Sequence, residues 1–175
     1  MENDIKLVIF DLDGTLIHLP INYSKLKCEV SRILGTENIN SILEALSNAK
    51  EDDKKRIFSV LDKFENEALR DMREVSEGMK VYRSFRNKLK CLVTLQGRQV
   101  VEKVLKKTGL SFDYIVTRED ALARNEQIKI IIKKFKLNPE SILLVGDRES
   151  DKKAAEIVGC KFMLITGNFT IHGDD

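Results

Sequence analysis

The stretch Ile5-Lys6-Leu7-Val8-Ile9-Phe10-Asp11-Leu12-Asp13-Gly14-Thr15 joins a short apolar run to an acidic turn that contains glycine. The run is too short to be a complete helix and is rich in Val and Ile, so it reads as a buried strand. Four later runs have the same character: Cys91–Leu95, Tyr114–Val116, Ile142–Val145 and Phe162–Ile165. From Arg98 onward, helical patterns separate them, over Gln99–Lys107, Glu126–Phe135 and Asp151–Val158. Strands alternating with helices imply βαβ units, and right-handed crossovers then cover both faces of a parallel sheet. The expected fold is α/β, a Rossmann-like three-layer sandwich with a parallel five-stranded sheet.

The first two strands break this rhythm. About eighty residues separate them, far more than one crossover needs. Within the gap Ile57, Val60, Leu61, Phe64, Ala68, Leu69, Met72 and Val75 recur at spacings of three and four, which predicts one long amphipathic helix. Shorter helices are expected near Tyr23–Leu34 and Ile39–Ala49, and Gly78 offers a break before a further helical run, Val81–Leu89. Residues 19–77 are therefore expected to form an α-helical cap inserted into a core made of 1–18 and 78–175. Because the sheet resumes afterwards, an insertion over the sheet edge is favoured over a separate partner-binding module.

Composition narrows the classes of function. The 175 residues suit one globular unit with an insertion, and 42% hydrophobic against 33% charged residues exclude a disordered chain. Lys and Arg number 30 against 28 Asp and Glu, so the net charge of +2 supplies no general attraction to nucleic acid or anionic membrane. Nine glycines and two prolines make a loop-rich chain improbable and long helices expected. No apolar run approaches the ~20 residues that span a bilayer, and Met1–Lys6 lacks the features of a signal peptide. Cys28, Cys91 and Cys160 are odd in number and have no metal-ligand spacing, which fits a reducing, cytoplasmic setting. The basic stretches Lys103–Lys107 and Lys129–Lys136 interleave with apolar positions and read as solvated helix faces, with no aromatic residues to stack on bases.

Two acidic words carry the chemistry. Asp11-Leu-Asp13-Gly14-Thr15 follows the first strand, and Gly146-Asp147-Arg-Glu-Ser-Asp151 follows the fourth. In a parallel α/β sheet the ligand site lies outside the carboxyl ends of the strands, where both words fall. In extended chain Asp11 and Asp13 project to the same side. Carboxylates gathered at one edge repel one another unless a cation intervenes, and hard oxygen ligands of this kind suit Mg2+.

Val8-Ile-Phe-Asp-Leu-Asp-Gly-Thr-Leu16 resembles the first motif of the haloacid dehalogenase superfamily in its phosphatase branch. Leu143-Leu-Val-Gly-Asp-Arg-Glu-Ser-Asp151 is similar to the fourth motif, and Cys91-Leu-Val-Thr94 to the second. The matches are collinear from residue 8 to 151 and are nearest to phosphoglycolate phosphatase-like members with small helical caps. The resemblance implies a Mg2+-dependent phosphatase acting on a small phosphorylated metabolite through an aspartyl-phosphate. Asp11 would be the nucleophile, and Asp13 the acid that protonates the leaving alkoxide and then the base that activates water. Mg2+ would be held by the Asp11 carboxylate, the Asp13 backbone carbonyl and the Asp147 carboxylate, with Asp151 behind them orienting metal-bound water or buttressing Asp147.

Thr94 and the Leu95 amide would bind the transferring phosphoryl group. The family often has Asn after this Thr, whereas here Leu95-Gln96 follows. The family's third-motif Lys, commonly followed by Pro, is missing from Asp120-Ala-Leu-Ala-Arg124-Asn-Glu-Gln-Ile128-Lys129. Arg124, just ahead of Asn125 as a helix N-cap, is the expected substitute, with Lys129 one helical turn further on as the alternative. His18, Tyr23 and Lys25 lie where the chain enters the insertion and rank lower as leaving-group contacts. His172, in a polar tail, is assigned no part. The same motifs would serve a phosphosugar mutase or a non-catalytic phosphate-binding or regulatory protein of this fold, while the Asp-x-Asp pair argues against a dehalogenase.

Overall fold

A computed structural model describes residues 4–167; His172 and the rest of the tail from residue 168 lie outside these. Strand β1 (Leu7–Phe10) is wholly buried, and its side chains alternate between two cores. Val8 and Phe10 pack with one hydrophobic cluster, Leu7 and Ile9 with the other. At about 1.5–3 kcal/mol for each fully buried large apolar side chain, this strand is a main anchor of the sheet.

Strand β4 (Leu89–Val93) pairs with one edge of β1 and β6 (Ile142–Gly146) with the other, both parallel. Strand β5 (Tyr114–Val116) extends the sheet beyond β4, and β7 (Lys161–Leu164) beyond β6. The five-stranded parallel order is β5-β4-β1-β6-β7. The chain therefore leaves β1 towards opposite sides at different times, and the crevice at the carboxyl ends of β4, β1 and β6 is the reversal point at which such sheets bind ligands. Helix α5 (Arg98–Thr108) packs Val100, Val101 and Val104 into the first core. Helices α6 (Arg124–Phe135) and α7 (Glu149–Val158) pack Ile128, Ile131 and Ala155 into the second. The result is the expected three-layer α/β sandwich.

The residues between β1 and β4 form helices α1 (Tyr23–Leu34), α2 (Ile42–Asn48) and α3 (Glu51–Ala68). They share a third hydrophobic cluster made by Leu26, Val30, Leu46, Ile57 and Leu61. The long helix expected to run on to Val75 stops at Ala68, where a 3-10 turn at Leu69–Asp71 takes over. Beyond it β3 (Arg73–Glu74) pairs antiparallel with β2 (Ile17–His18), and the Val75 amide donates to the Leu16 carbonyl at 2.9 Å. Backbone pairing with the chain that leaves β1 thus overrides the helical spacing. The expected break at Gly78 is also absent: Gly78 lies inside α4 (Ser76–Ser84). Glycine is required there because a Cβ would collide with the Thr15 carbonyl oxygen.

The insert is fastened to the core along α3. Lys103 donates to the Asn66 side chain at 2.5 Å and Lys107 to the Leu69 carbonyl at 3.0 Å, so these two lysines bridge elements rather than merely face solvent. Among the described residues no helix is long and apolar enough to cross a membrane.

Candidate active site

Asp11, Thr94 and Asp147 follow adjacent strands, so the sheet order alone brings them to one crevice. The turn after β1 is tight. Gly14 donates to the Ile17 carbonyl at 2.7 Å and adopts a left-handed φ of 91°. Any Cβ at Gly14 would run into the Asp147 carboxylate, so this residue lets the turn lie directly against that side chain. Buried Thr15 donates its hydroxyl towards Asp11 Oδ2 and Asp147 Oδ1, each at 3.4 Å, linking the two acidic words.

Carboxylate oxygens of Asp11, Asp147 and Asp151 lie within 4.8 Å of one another. Asp151, expected behind the others, brings its carboxylate into the cluster itself. It also closes the N-terminus of α7, where one oxygen accepts the Arg148 amide at 3.3 Å. Asp13 is not a member by its side chain. Its Oδ1 accepts the Leu19 amide at 2.8 Å, which aims the carboxyl at the start of the insert, and His18 Nδ1 stands 4.0 Å away.

Electrostatics mark these acids as a strained group. Burial pushes the Asp11 carboxyl up to about 7 against the pull of Arg124, and Asp151, Asp147 and Asp13 add to the rise. Burial likewise raises Asp13, against the Leu19 amide and His18, and raises Asp147, against Arg148. A cluster of hard oxygen donors that resists ionisation is a fit for a small divalent cation, which would relieve the repulsion.

Arg124 is the cation already in place. Its Nη2 reaches Asp11 Oδ1 at 2.5 Å and its Nε reaches Asp151 Oδ1 at 2.9 Å. It is the first residue of α6, with Ala123 at the N-cap; Asn125, expected to cap, sits inside the first turn and donates to Glu126 instead. Lys129 points elsewhere, pairing with Glu126 at 2.8 Å on the exposed face.

Thr94 is buried, and its hydroxyl donates to Gln96 Oε1 and accepts the Gln96 amide at 3.2 Å. Gln96, two residues beyond Thr94, therefore holds this hydroxyl. Fully buried Gln127 ties the same strand end to α6: it donates to the Thr94 carbonyl at 2.8 Å and accepts from Arg124 Nη1 at 2.8 Å. Tyr23 lines the cavity between insert and core, with Arg148, whereas Lys25 does not.

Sequence reading missed one whole layer of the site. Arg118, after β5, has its side chain only 1% exposed and forms ion pairs with Glu65 at 2.5 Å and with Asp62, both on α3. It also donates to the Leu95 carbonyl at 3.0 Å, while Glu65 accepts the Gly97 amide at 3.1 Å. The insert thus grips the loop that carries the Leu95 amide. Arg118→Leu is expected to cost about 3 kcal/mol, because Glu65 is left as an uncompensated buried charge. Burial raises the Glu65 pKa above its ordinary 4.5 even with Arg118 beside it. The folded state holds that proton longer than the unfolded state, so the deficit grows as pH rises above 4.5 and fades below it. Urea unfolding of the variant at pH 4 and pH 7 measures this.

With this geometry in view, comparison with known proteins gives the class. The family model for haloacid dehalogenase-like hydrolases matches residues 8–165, and the chain belongs to that family. Solved structures share the fold at low identity. A haloacid dehalogenase-like family hydrolase from Streptococcus pneumoniae is 16% identical with a TM-score of 0.70, over 95% of this chain and 87% of that one. A predicted phosphoglycolate phosphatase from Haemophilus somnus is 20% identical with a TM-score of 0.65, over 94% and 87%. CbbY from Rhodobacter sphaeroides, in complex with phosphate, is 15% identical with a TM-score of 0.64, over 97% and 90%. No curated protein matches the sequence significantly.

Proposed function

We propose that the protein is a Mg2+-dependent phosphatase that hydrolyses a small phosphomonoester through an aspartyl-phosphate on Asp11. The observation that carries this reading is the convergence of Asp11, Asp147 and Asp151 with Arg124 at the carboxyl ends of β1 and β6. Asp11 and Asp147, with the Asp13 backbone carbonyl, would hold the cation, and Asp151 would stand beside it as a further oxygen donor and as the anchor of Arg124. When bound, Mg2+ supplies charge neutralisation for the phosphate oxygens and lets the buried carboxylates ionise.

In the first displacement an Asp11 oxygen forms a bond to phosphorus while the bond from phosphorus to the ester oxygen breaks. Asp13 gives its proton to the departing alkoxide, a task suited to a carboxyl that burial keeps protonated to higher pH. In the second, water attacks phosphorus, Asp13 takes a proton from it, and the Asp11–phosphorus bond breaks to release inorganic phosphate. Arg124, the Leu95 amide and the Thr94 hydroxyl hold the phosphoryl oxygens, with Thr94 exchanging Gln96 for the substrate. Residues 19–77 act as a cap that excludes water and meets the leaving group, and residues 1–18 and 78–175 as the catalytic core.

Phosphate release from a panel of small phosphomonoesters, with Mg2+ and with chelator, tests the reading. Release that falls at least about 100-fold on chelation is expected. Equal release in chelator would overturn the metal requirement, and no release from any ester would overturn hydrolysis.

A further inference from the structure

Gln127 is fully buried, and both polar atoms of its side chain are engaged. Its Nε2 donates to the Thr94 carbonyl at 2.8 Å and to the Ala121 carbonyl at 2.9 Å, and its Oε1 accepts from Arg124 Nη1 at 2.8 Å. A side-chain amide offers two N–H donors beside a carbonyl acceptor, and these three partners use both donors and the acceptor. Filling the space between α6 and β4 would need only an apolar side chain of this size. Three satisfied polar contacts in a fully buried place define geometry instead.

Each contact fixes something the phosphoryl site needs. The Thr94–Leu95 peptide is trans and planar, so its N–H points opposite to its C=O. Gln127 holds that carbonyl and thereby sets the direction of the Leu95 N–H. Arg118 holds the next carbonyl, that of Leu95, at 3.0 Å, so the peptide planes on both sides of Leu95 are pinned by side chains. The bond to Arg124 acts on the other phosphate-binding group. With Nη1 on Gln127 and Nε on Asp151, the guanidinium plane is fixed and Nη2 is aimed at Asp11. The bond to Ala121 secures the chain just before α6, whose N-cap, Ala123, makes no side-chain capping bond.

Resting on the phosphatase reading, we propose that Gln127 is a positioning residue that locks the Leu95 amide and the Arg124 guanidinium into one arrangement for the phosphoryl oxygens. It acts on the phosphoryl group only through these two.

Gln127→Met keeps the length of the side chain and removes both donors and the acceptor. With Mg2+ and a hydrolysed small phosphomonoester, kcat/KM is expected to fall about 100-fold, the scale on which a misplacement of about 1 Å acts. Affinity for orthovanadate, a mimic of the phosphorus in transfer, should fall by at least about tenfold with it. In an Arg124→Ala background the same change is expected to cost less than about tenfold, because one of the two groups it positions is already gone. Gln127→Asn keeps the amide but is one methylene short of spanning its partners, and a loss of at least about tenfold is expected from it. This second variant carries the test if urea unfolding shows that the methionine variant does not fold. Equal losses in the two backgrounds, a folded variant within about threefold of the wild type, or a loss of kcat/KM with orthovanadate affinity unchanged would overturn the proposal and leave the phosphatase reading standing. Release by the wild type from no ester would overturn that reading and the proposal with it.

Discussion

Asp11→Asn is expected to lower phosphate release by at least about 10⁴-fold and to leave the fold in place. The loss follows from the chemistry: an amide oxygen of nearly the same shape cannot form the phosphoryl-enzyme bond. The preserved fold follows from the surroundings. Asp11 is 5% exposed, and burial pushes its carboxyl up to about 7, so ionising it works against folding at neutral pH. A neutral amide carries no such cost, and its oxygen still accepts from Arg124. Circular dichroism and urea unfolding check the fold, and a single-turnover assay with Mg2+ checks the rate. Turnover within tenfold of the wild type would remove Asp11 from the role of nucleophile.

Arg124→Ala is expected to reduce kcat/KM by about 10³-fold, in line with arginines that stabilise charge in phosphoryl transfer. Its guanidinium spans Asp11 and Asp151, leaving one cationic fork where attacking carboxylate and phosphoryl oxygens meet. Arg124→Lys should recover part of the loss, since a point charge replaces the fork while the contacts to Asp151 and Gln127 cannot both be kept. Lys129→Ala should change kcat/KM less than about twofold, because that ammonium pairs with Glu126 on the exposed face. The reverse ranking of Arg124 and Lys129 would place the phosphate-binding cation elsewhere on α6.

The five parallel strands were legible because each is a short apolar run with a helical pattern or a turn signal beside it. Asp11 and Asp147 were legible because each follows such a strand. The two-residue strands Ile17–His18 and Arg73–Glu74 left no trace in periodicity, since their pairing depends on chain that is distant in sequence. Met72 and Val75 kept helical spacing although the helix had ended, because both still face the first core. Gly78 looked like a helix breaker and is a packing residue against Thr15. Arg118 and Glu65 escaped for a related reason: 53 positions separate them, and no local pattern marks a buried ion pair built from two surface-like residues. Arg124 was preferred to Lys129 from its place at the helix start, but its contacts to Asp11 and Asp151 join chain far apart in sequence and show only in the structure.

Borohydride reduction during turnover tests the central claim most directly, since it converts an aspartyl-phosphate to homoserine. With Mg2+ and a hydrolysed ester present, peptide mass spectrometry should find homoserine at position 11 in the wild type and none in Asp11→Asn. Phosphate release with no modification at Asp11, or modification at a different carboxylate, would contradict the account.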